Sequence, residues 1–292
     1  MLILKRPSLS DKKLSIAIPA SVVSDTPHLR EKTTKVGLIG RAAAIFRVDE
    51  IIIYSDQPRA NQAADAKLVG TLLSYIETPQ YLRKRLFKIM PELQFAGVLP
   101  PLRTPHHPKN NRKANLKTGE HREGVVLAKT AEGLQIDIGV EQPALVAQED
   151  MPVGKRITVK IVEIDKQIHA ELADRKETSA YGGYAVTLER QLFGKLVKSR
   201  GFDLAIATSK YGAPFADMAD LIGERWRTSK TIMIAFGPPT MGLHEIAKQE
   251  ELKLENITDF VVNTIPEQGT ETVRTEEAVI ASLAILNVRF GV

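Results

Sequence analysis

The chain of 292 residues contains no cysteine, which excludes disulfides, thiolate metal sites and cysteine nucleophiles together. No uninterrupted apolar run reaches the roughly 18 residues that a membrane-spanning helix needs. The opening "MLILKRPSLSDKK" puts charge where a secretory leader requires its apolar core, so a cytoplasmic protein is expected. Phosphate cradles are missing as well: no GxGxxG follows a candidate strand, and no GxxxxGK[ST] occurs. The histidines form no i, i+4 pair and no carboxylate cluster at metal-ligand spacing, so no metal is expected. Only His106 and His107 adjoin, and in an extended segment they would face opposite ways. No serine sits in a nucleophile elbow. Hydrolysis, dinucleotide chemistry and metal chemistry thereby lose their usual sequence support.

What is present is an ordinary soluble composition, 43% hydrophobic and 26% charged, long enough for two domains. The formal charge of +5 is mild, but its distribution is uneven. From Arg103 to Arg122, "RTPHHPKNNRKANLKTGEHR" holds Arg103, Lys109, Arg112, Lys113, Lys117 and Arg122 against the single acid Glu120. Aromatic side chains are scarce around it, Phe95 being the nearest upstream, so little base stacking is expected there.

The first third alternates "LSIAIPA" and "EIIIYS", short and apolar like buried strands, with helical stretches, and a helix break is expected before Pro79. From Leu93 to Arg175 the texture changes to short β-like runs: "HREGVVLAKT", "EGLQIDIGV", "PALVAQED", "KRITVKIVEID" and "QIHAELA". Their spacing suggests a small OB-like β-barrel, a fold often used for single-stranded nucleic acid. After Tyr184 the α/β rhythm returns, with "GYAV" as a strand followed by a helix from Thr187, then "DLAIATS", "TIMIAFG" and "DFVVNTI" as strands between helices. The expected architecture is an α/β domain, 1–92 and 176–292, with a mostly parallel sheet and a β module, 93–175, inserted into it.

Three loops stand at the carboxyl ends of the last candidate strands, where open α/β sheets bind ligands. They are "TSKYG" (Thr208 to Gly212), "FGPPTMG" (Phe236 to Gly242) and "NTIPEQGTETVRTEEAV" (Asn263 to Val279). Each combines glycine with hydroxyl or proline residues, which suits reading an adenine edge or ribose through backbone groups. Any one of them is equally an ordinary strand-to-helix turn. Together they suit a neutral or cationic adenosyl group, which needs no phosphate nest. Thr275 is expected to cap the last helix, with Glu276 and Glu277 in its first turn.

These loops resemble the motifs of the SPOUT RNA methyltransferases. "KVGLIGRAAAIFRVDEIII" is similar to the first motif, Asn-x-Gly-x-x-x-Arg, at Gly37 and Arg41, with Lys35 in place of the asparagine. "IAFGPPTMGL" is similar to the second, Gly-x-Glu-x-x-Gly-Leu, at Gly237, Gly242 and Leu243, with Pro239 replacing the glutamate. "IPEQGTETVRTEEA" resembles the third at Ile265, Pro266, Gly269 and Thr272, with Val273 and Arg274 where Leu-Asn is usual. The inserted β module and "QGTETVRTEEA" resemble a branch of archaeal and eukaryotic RNA methyltransferases that carries an OB-like insert.

The resemblance implies a C-terminal trefoil knot, S-adenosylmethionine as cofactor, a homodimer and an RNA substrate, rRNA or tRNA, methylated on a ribose 2′-OH or a base nitrogen. It places Thr208, Gly212, Phe236, Gly237, Gly242, Ile265, Pro266, Gly269 and Thr272 around the cofactor. Arg41 would reach the site from the partner subunit as the catalytic candidate, holding a phosphate or orienting the acceptor atom; a guanidinium stays protonated, which makes it implausible as a free base. Arg103, Lys109, Arg112, Lys113 and Lys117 would contact the RNA backbone. Arg274 and Glu277 either face the acceptor or pair with each other. A non-catalytic RNA-binding or assembly protein of the same fold is the alternative; a DNA-directed regulator has only the mild basicity behind it.

Overall fold

The computed structural model describes residues 12–147, 150–175 and 180–291. Most of the opening stretch lies outside them. The chain divides into two compact units: one runs through Ser74, takes up Glu92–Pro100 and resumes at Tyr184, while the other comprises Tyr75–Pro91 and Pro101–Gly183.

The first unit begins with β1 (Lys13–Pro19), α1 (Leu29–Ile45) and β2 (Glu50–Ser55). Both strands are apolar nearly throughout, as strands covered on both faces must be. Next comes α2 (Ala63–Glu77), which ends before Pro79 as the restricted backbone of a pre-proline residue requires.

The second unit takes in the last residues of α2, then α3 (Gln80–Leu86), and continues through β3 (His121–Thr130), β4 (Gly133–Asp137), β5 (Ala144–Val146), β6 (Arg156–Ile164) and β7 (Ile168–Leu172). These five strands close into a barrel in the order β3-β4-β5-β7-β6, with β6 back against β3. Alternation decides which residues face inward. In "RITVKIVEI" the buried residues Ile157, Val159 and Ile161 are every second one, and they meet Val126, Leu134, Ile136 and Ile168 in the interior.

The first unit then resumes with β8 (Ala185–Leu192), α4 (Phe193–Arg200), β9 (Leu204–Pro214), α5 (Phe215–Thr228), β10 (Thr231–Ala235), α6 (Leu243–Gln249), β11 (Phe260–Asn263) and α7 (Thr275–Phe290). Its sheet is wholly parallel, in the order β11-β9-β10-β1-β2-β8. Ala17, Ile52, Tyr54, Met233 and Ala235 pack on one side of it with Phe193, Leu196 and Ile246. The helix expected from Thr187 is instead the rest of β8: its half-exposed residues suit an edge strand, and the helix starts at Phe193. Among the described residues, no helix is long and apolar enough to cross a membrane.

Candidate active site

The carboxyl ends of β9, β10 and β11 lie side by side, because β9 is flanked by the other two. The last five residues before Ala213 depart from the loop expected of them. Ala207 of β9 pairs with Val261, whereas Ala213 pairs with the very next residue, Val262, so Thr208 to Gly212 form an excursion from the ladder within the strand. Gly212 is where the excursion returns. A Cβ there would lie 2.6 Å from the Val262 carbonyl carbon, so the close approach of the two backbones demands glycine.

This excursion, the loop after β10 and the stretch after β11 enclose a cavity of about 390 Å³, within the range of small-molecule sites. Side chains tie the three walls together. Thr208 Oγ1 donates to the Ala235 carbonyl at 2.9 Å, Tyr54 donates its phenol proton to the Phe236 carbonyl at 2.8 Å, and Thr275 Oγ1 donates to the Gly237 carbonyl at 3.0 Å. Burial, reinforced by Asp56 and Glu250, pushes the Tyr54 phenol far up, so it remains a donor at any ordinary pH. Asn263 clamps the third wall, donating from Nδ2 to the Lys210 carbonyl at 3.1 Å and accepting the Ile265 N–H at 2.9 Å.

Six of the residues selected from sequence line this cavity: Thr208, Phe236, Gly237, Gly242, Ile265 and Thr272. Gly212, Pro266 and Gly269 are not among its lining residues. The structural duty of Gly212 is its close approach to the backbone of Val261 and Val262, and nothing lies within 4 Å of a Cβ built on Gly269. Sequence reasoning passed over Ser209, Glu245, Gln268, Glu271 and Thr275, which line it too. The only local signal for Glu245 was its place in the first turn after Gly242. Thr275 is not the helix cap. Arg274 takes that position and its N–H is accepted by Glu277 at 2.9 Å, while the Thr275 hydroxyl is committed to Gly237.

In the second unit, Arg103, Lys109, Arg112 and Lys117 are exposed. Lys113 is half-buried, its Nζ donating to Gln142 Oε1 at 2.7 Å and the Lys166 carbonyl at 2.9 Å. His106 and His107 do not face apart. A turn closed by the His107 N–H on the Thr104 carbonyl brings their rings to 4.3 Å, and both Nε2 atoms meet the Glu77 carbonyl oxygen. Burial, with the neighbouring His106, lowers His107 to about 4. The Glu77 carboxylate accepts two hydrogen bonds from Arg156, at 2.6 and 3.1 Å. Burial raises its pKa, but His106 and Arg156 outweigh that and bring it down to about 2. Arg156 and Arg175 also bracket Glu123 at 2.7 Å each.

Residues 13–286 match a family described as "Putative RNA methyltransferase". The chain belongs to this family. The methyltransferase is 34% identical over 288 residues to an uncharacterized protein of Halobacterium salinarum, covering 93% of this chain and 98% of that one. It is 30% identical over 299 residues to the human 28S rRNA (uridine-N(3))-methyltransferase, covering 94% of this chain and 77% of the human one. The Drosophila melanogaster enzyme of the same name is 31% identical over 308 residues, with coverage of 94% and 61%.

Two residues of the methyltransferase's first motif end up in different settings. Arg41 is half-buried on α1 and is not among the lining residues of the cavity. Lys35 is 5% exposed and donates to both oxygens of Asp25, at 2.7 and 2.8 Å, with Glu276 Oε2 of α7 3.5 Å away. Burial pushes the Asp25 carboxyl up, but the Lys35 hydrogen bonds and charge hold it below the usual carboxylate range.

Proposed function

We propose that the protein transfers the methyl group of S-adenosylmethionine to N3 of a uridine in ribosomal RNA. The observation that carries this reading is the cavity at the ends of β9, β10 and β11, where the second and third motifs meet, in a chain whose named relatives act on uridine N3 of 28S rRNA. The lining suits the cofactor chemically. Glu245 and Glu271 offer negative charge to a ligand that carries an ammonium and a sulfonium, and Gly237 lets the backbone turn tightly, since a Cβ there would sit 3.0 Å from the Met241 carbonyl oxygen. Thr208, Phe236, Gly237, Gly242, Ile265 and Thr272 would hold it, and Gly212, Pro266 and Gly269 would shape the loops around it. When bound, the cofactor supplies an electrophilic methyl carbon; the protein's task is to align the acceptor and dispose of its proton.

The five-stranded barrel is read as OB-like, since its strand order and the parallel pairing of β5 with β7 are those of a closed Greek-key barrel. Arg103, Lys109, Arg112 and Lys117 then contact RNA phosphates, with Lys113 bracing the loop. The C-terminal region is read as a trefoil knot, and the active form as a homodimer in which Arg41 of one copy serves the cavity of the other. That arrangement accounts for an arginine of the first motif that lies apart from the cavity of its own chain.

The test is transfer of labelled methyl from S-adenosylmethionine to total RNA, with the product nucleoside identified by mass spectrometry. Wild-type protein yields 3-methyluridine. Arg41→Ala retains cofactor affinity in calorimetry and loses transfer by a factor of about 100 or more. Cofactor binding without methyl transfer to any RNA pool would overturn the assignment.

A further inference from the structure

The excursion in β9, the start of α6 and the turn after it carry a set of side chains that the cofactor does not account for. Ser209 lines the cavity. Its Oγ lies 3.2 Å from Nδ1 of His244, and Nε2 of His244 lies 3.1 Å from Oε1 of Glu255. The partners fix the tautomer. Glu255 is held below the usual carboxylate range, first by its own backbone hydrogen bond and, against some burial, by His244, so it is an acceptor only. The imidazole proton therefore resides on Nε2, leaving Nδ1 to accept the Ser209 hydroxyl proton. Ser209 Oγ already takes the Tyr211 N–H at 3.2 Å on one lone pair, which leaves the other for a ligand in the cavity.

A uridine N3 is an imide nitrogen that carries a proton at neutral pH, and it must lose that proton to be methylated. Resting on the function proposed above, we infer that Ser209, His244 and Glu255 form the relay that removes it. The N3 electron pair forms the new bond to the methyl carbon as the donor's sulfur–carbon bond breaks and its pair stays on sulfur. The N3 proton passes to Ser209 Oγ while the serine proton passes to His244 Nδ1, giving an imidazolium paired with Glu255; the serine ends as it began. Glu245 and Glu271 also line the cavity, but a carboxylate is a weak proton acceptor, whereas imidazole is suited to neutral pH. The surroundings of His244 are consistent with this task. The Tyr211 ring stands edge-on with its centroid 6.4 Å away, and Asp259, which shares the shallow pocket beside His244, is occupied by the Ala205 N–H and Arg225. Glu245 and Lys248 flank it on α6, and Lys253 lies near Glu255.

Ser209 touches the substrate in this scheme, and His244 and Glu255 act through it. The experiment has two arms. Nitrogen-15 spectra of the cofactor-free wild type show His244 as the Nε2–H tautomer in its neutral form. Single-turnover transfer to RNA is then followed from pH 6 to 9 for wild type, Ser209→Ala, His244→Gln and Glu255→Gln, with cofactor affinity measured alongside. Wild-type transfer climbs with pH to a plateau. His244→Gln and Ser209→Ala are about 100-fold slower at pH 7, keep their cofactor affinity, and regain rate steadily up to pH 9 as hydroxide replaces the relay. Glu255→Gln falls between them and wild type. An Nδ1–H tautomer, or variants that keep the wild-type rate and pH profile, overturns the relay alone. Absence of 3-methyluridine from the wild-type reaction overturns the function proposed above and the relay with it.

Discussion

Lys35 stands where the resembling family has asparagine, and the structure gives that exchange a physical meaning. Its ammonium is buried between Asp25 and Glu276, so it ties the segment before α1 to the first turn of α7, one residue from the Thr275 hydroxyl that holds the second loop. Lys35→Met would leave two carboxylates facing each other with no cation. A loss of about 3 kcal/mol of unfolding free energy is expected, measured by urea titration at pH 7. Adding Glu276→Gln should recover part of it, because the remaining repulsion then disappears. The sequence exposed the exchange itself but not its partners, since residues 25 and 276 meet only through the packing of α1 against α7. The same holds for Ser209, His244 and Glu255, whose spacing matches no local motif.

At the scale of elements, the end of α2 is where buried charge is concentrated. Glu77 binds its proton less readily in the folded protein than in the unfolded chain. Its contribution is therefore complete above about pH 4.5 and is lost as the pH falls toward about 2. On the order of 3 kcal/mol is involved. His107 works in the same direction at higher pH: it is held neutral when folded, so its share is complete above about 6.5 and disappears as the pH falls toward about 4. Stability measured by urea between pH 8 and 3 should thus decline on acidification in two stages. Glu77→Gln should lower stability at pH 7 and flatten the stage below pH 4.5. Most elements were legible because their periodicity was clean: "HREGVVLAKT" is β3 residue for residue, and "EIIIYS" is β2. The failures share a cause. "TLERQL" is a polar segment whose extended backbone is imposed by β2, and "TSKYG" is a polar excursion that ends where Gly212 packs on β11; neither partner is near in sequence.

At the scale of the whole molecule, the proposed RNA contact is an electrostatic matter, and salt is its measure. Each phosphate neutralised on a single strand contributes about −0.7 to the slope of log affinity against log salt. Replacing Arg103, Lys109, Arg112 and Lys117 together with alanine should make that slope shallower by about 3, in fluorescence anisotropy with a single-stranded RNA, while S-adenosylmethionine affinity is unchanged. An unchanged slope would remove these four from the RNA surface. The charge run was plain in the sequence. That Lys113 differs from its neighbours was not, because Gln142 and Lys166, which hold it, come from distant turns of the barrel.

The order of the sheet also has a bearing on how the protein is made. β2 is apolar nearly throughout, yet β8, which covers its outer edge, follows the entire barrel in the chain, and β10, the second neighbour of β1, comes later still. During synthesis the pair β1–β2 must wait with open edges while the barrel is translated at roughly 5 to 20 residues per second. The insertion thus sets the interval during which a nascent chain is open to edge-to-edge association. Lengthening a barrel loop would reduce the yield of folded protein from the ribosome while leaving every contact of the finished molecule in place.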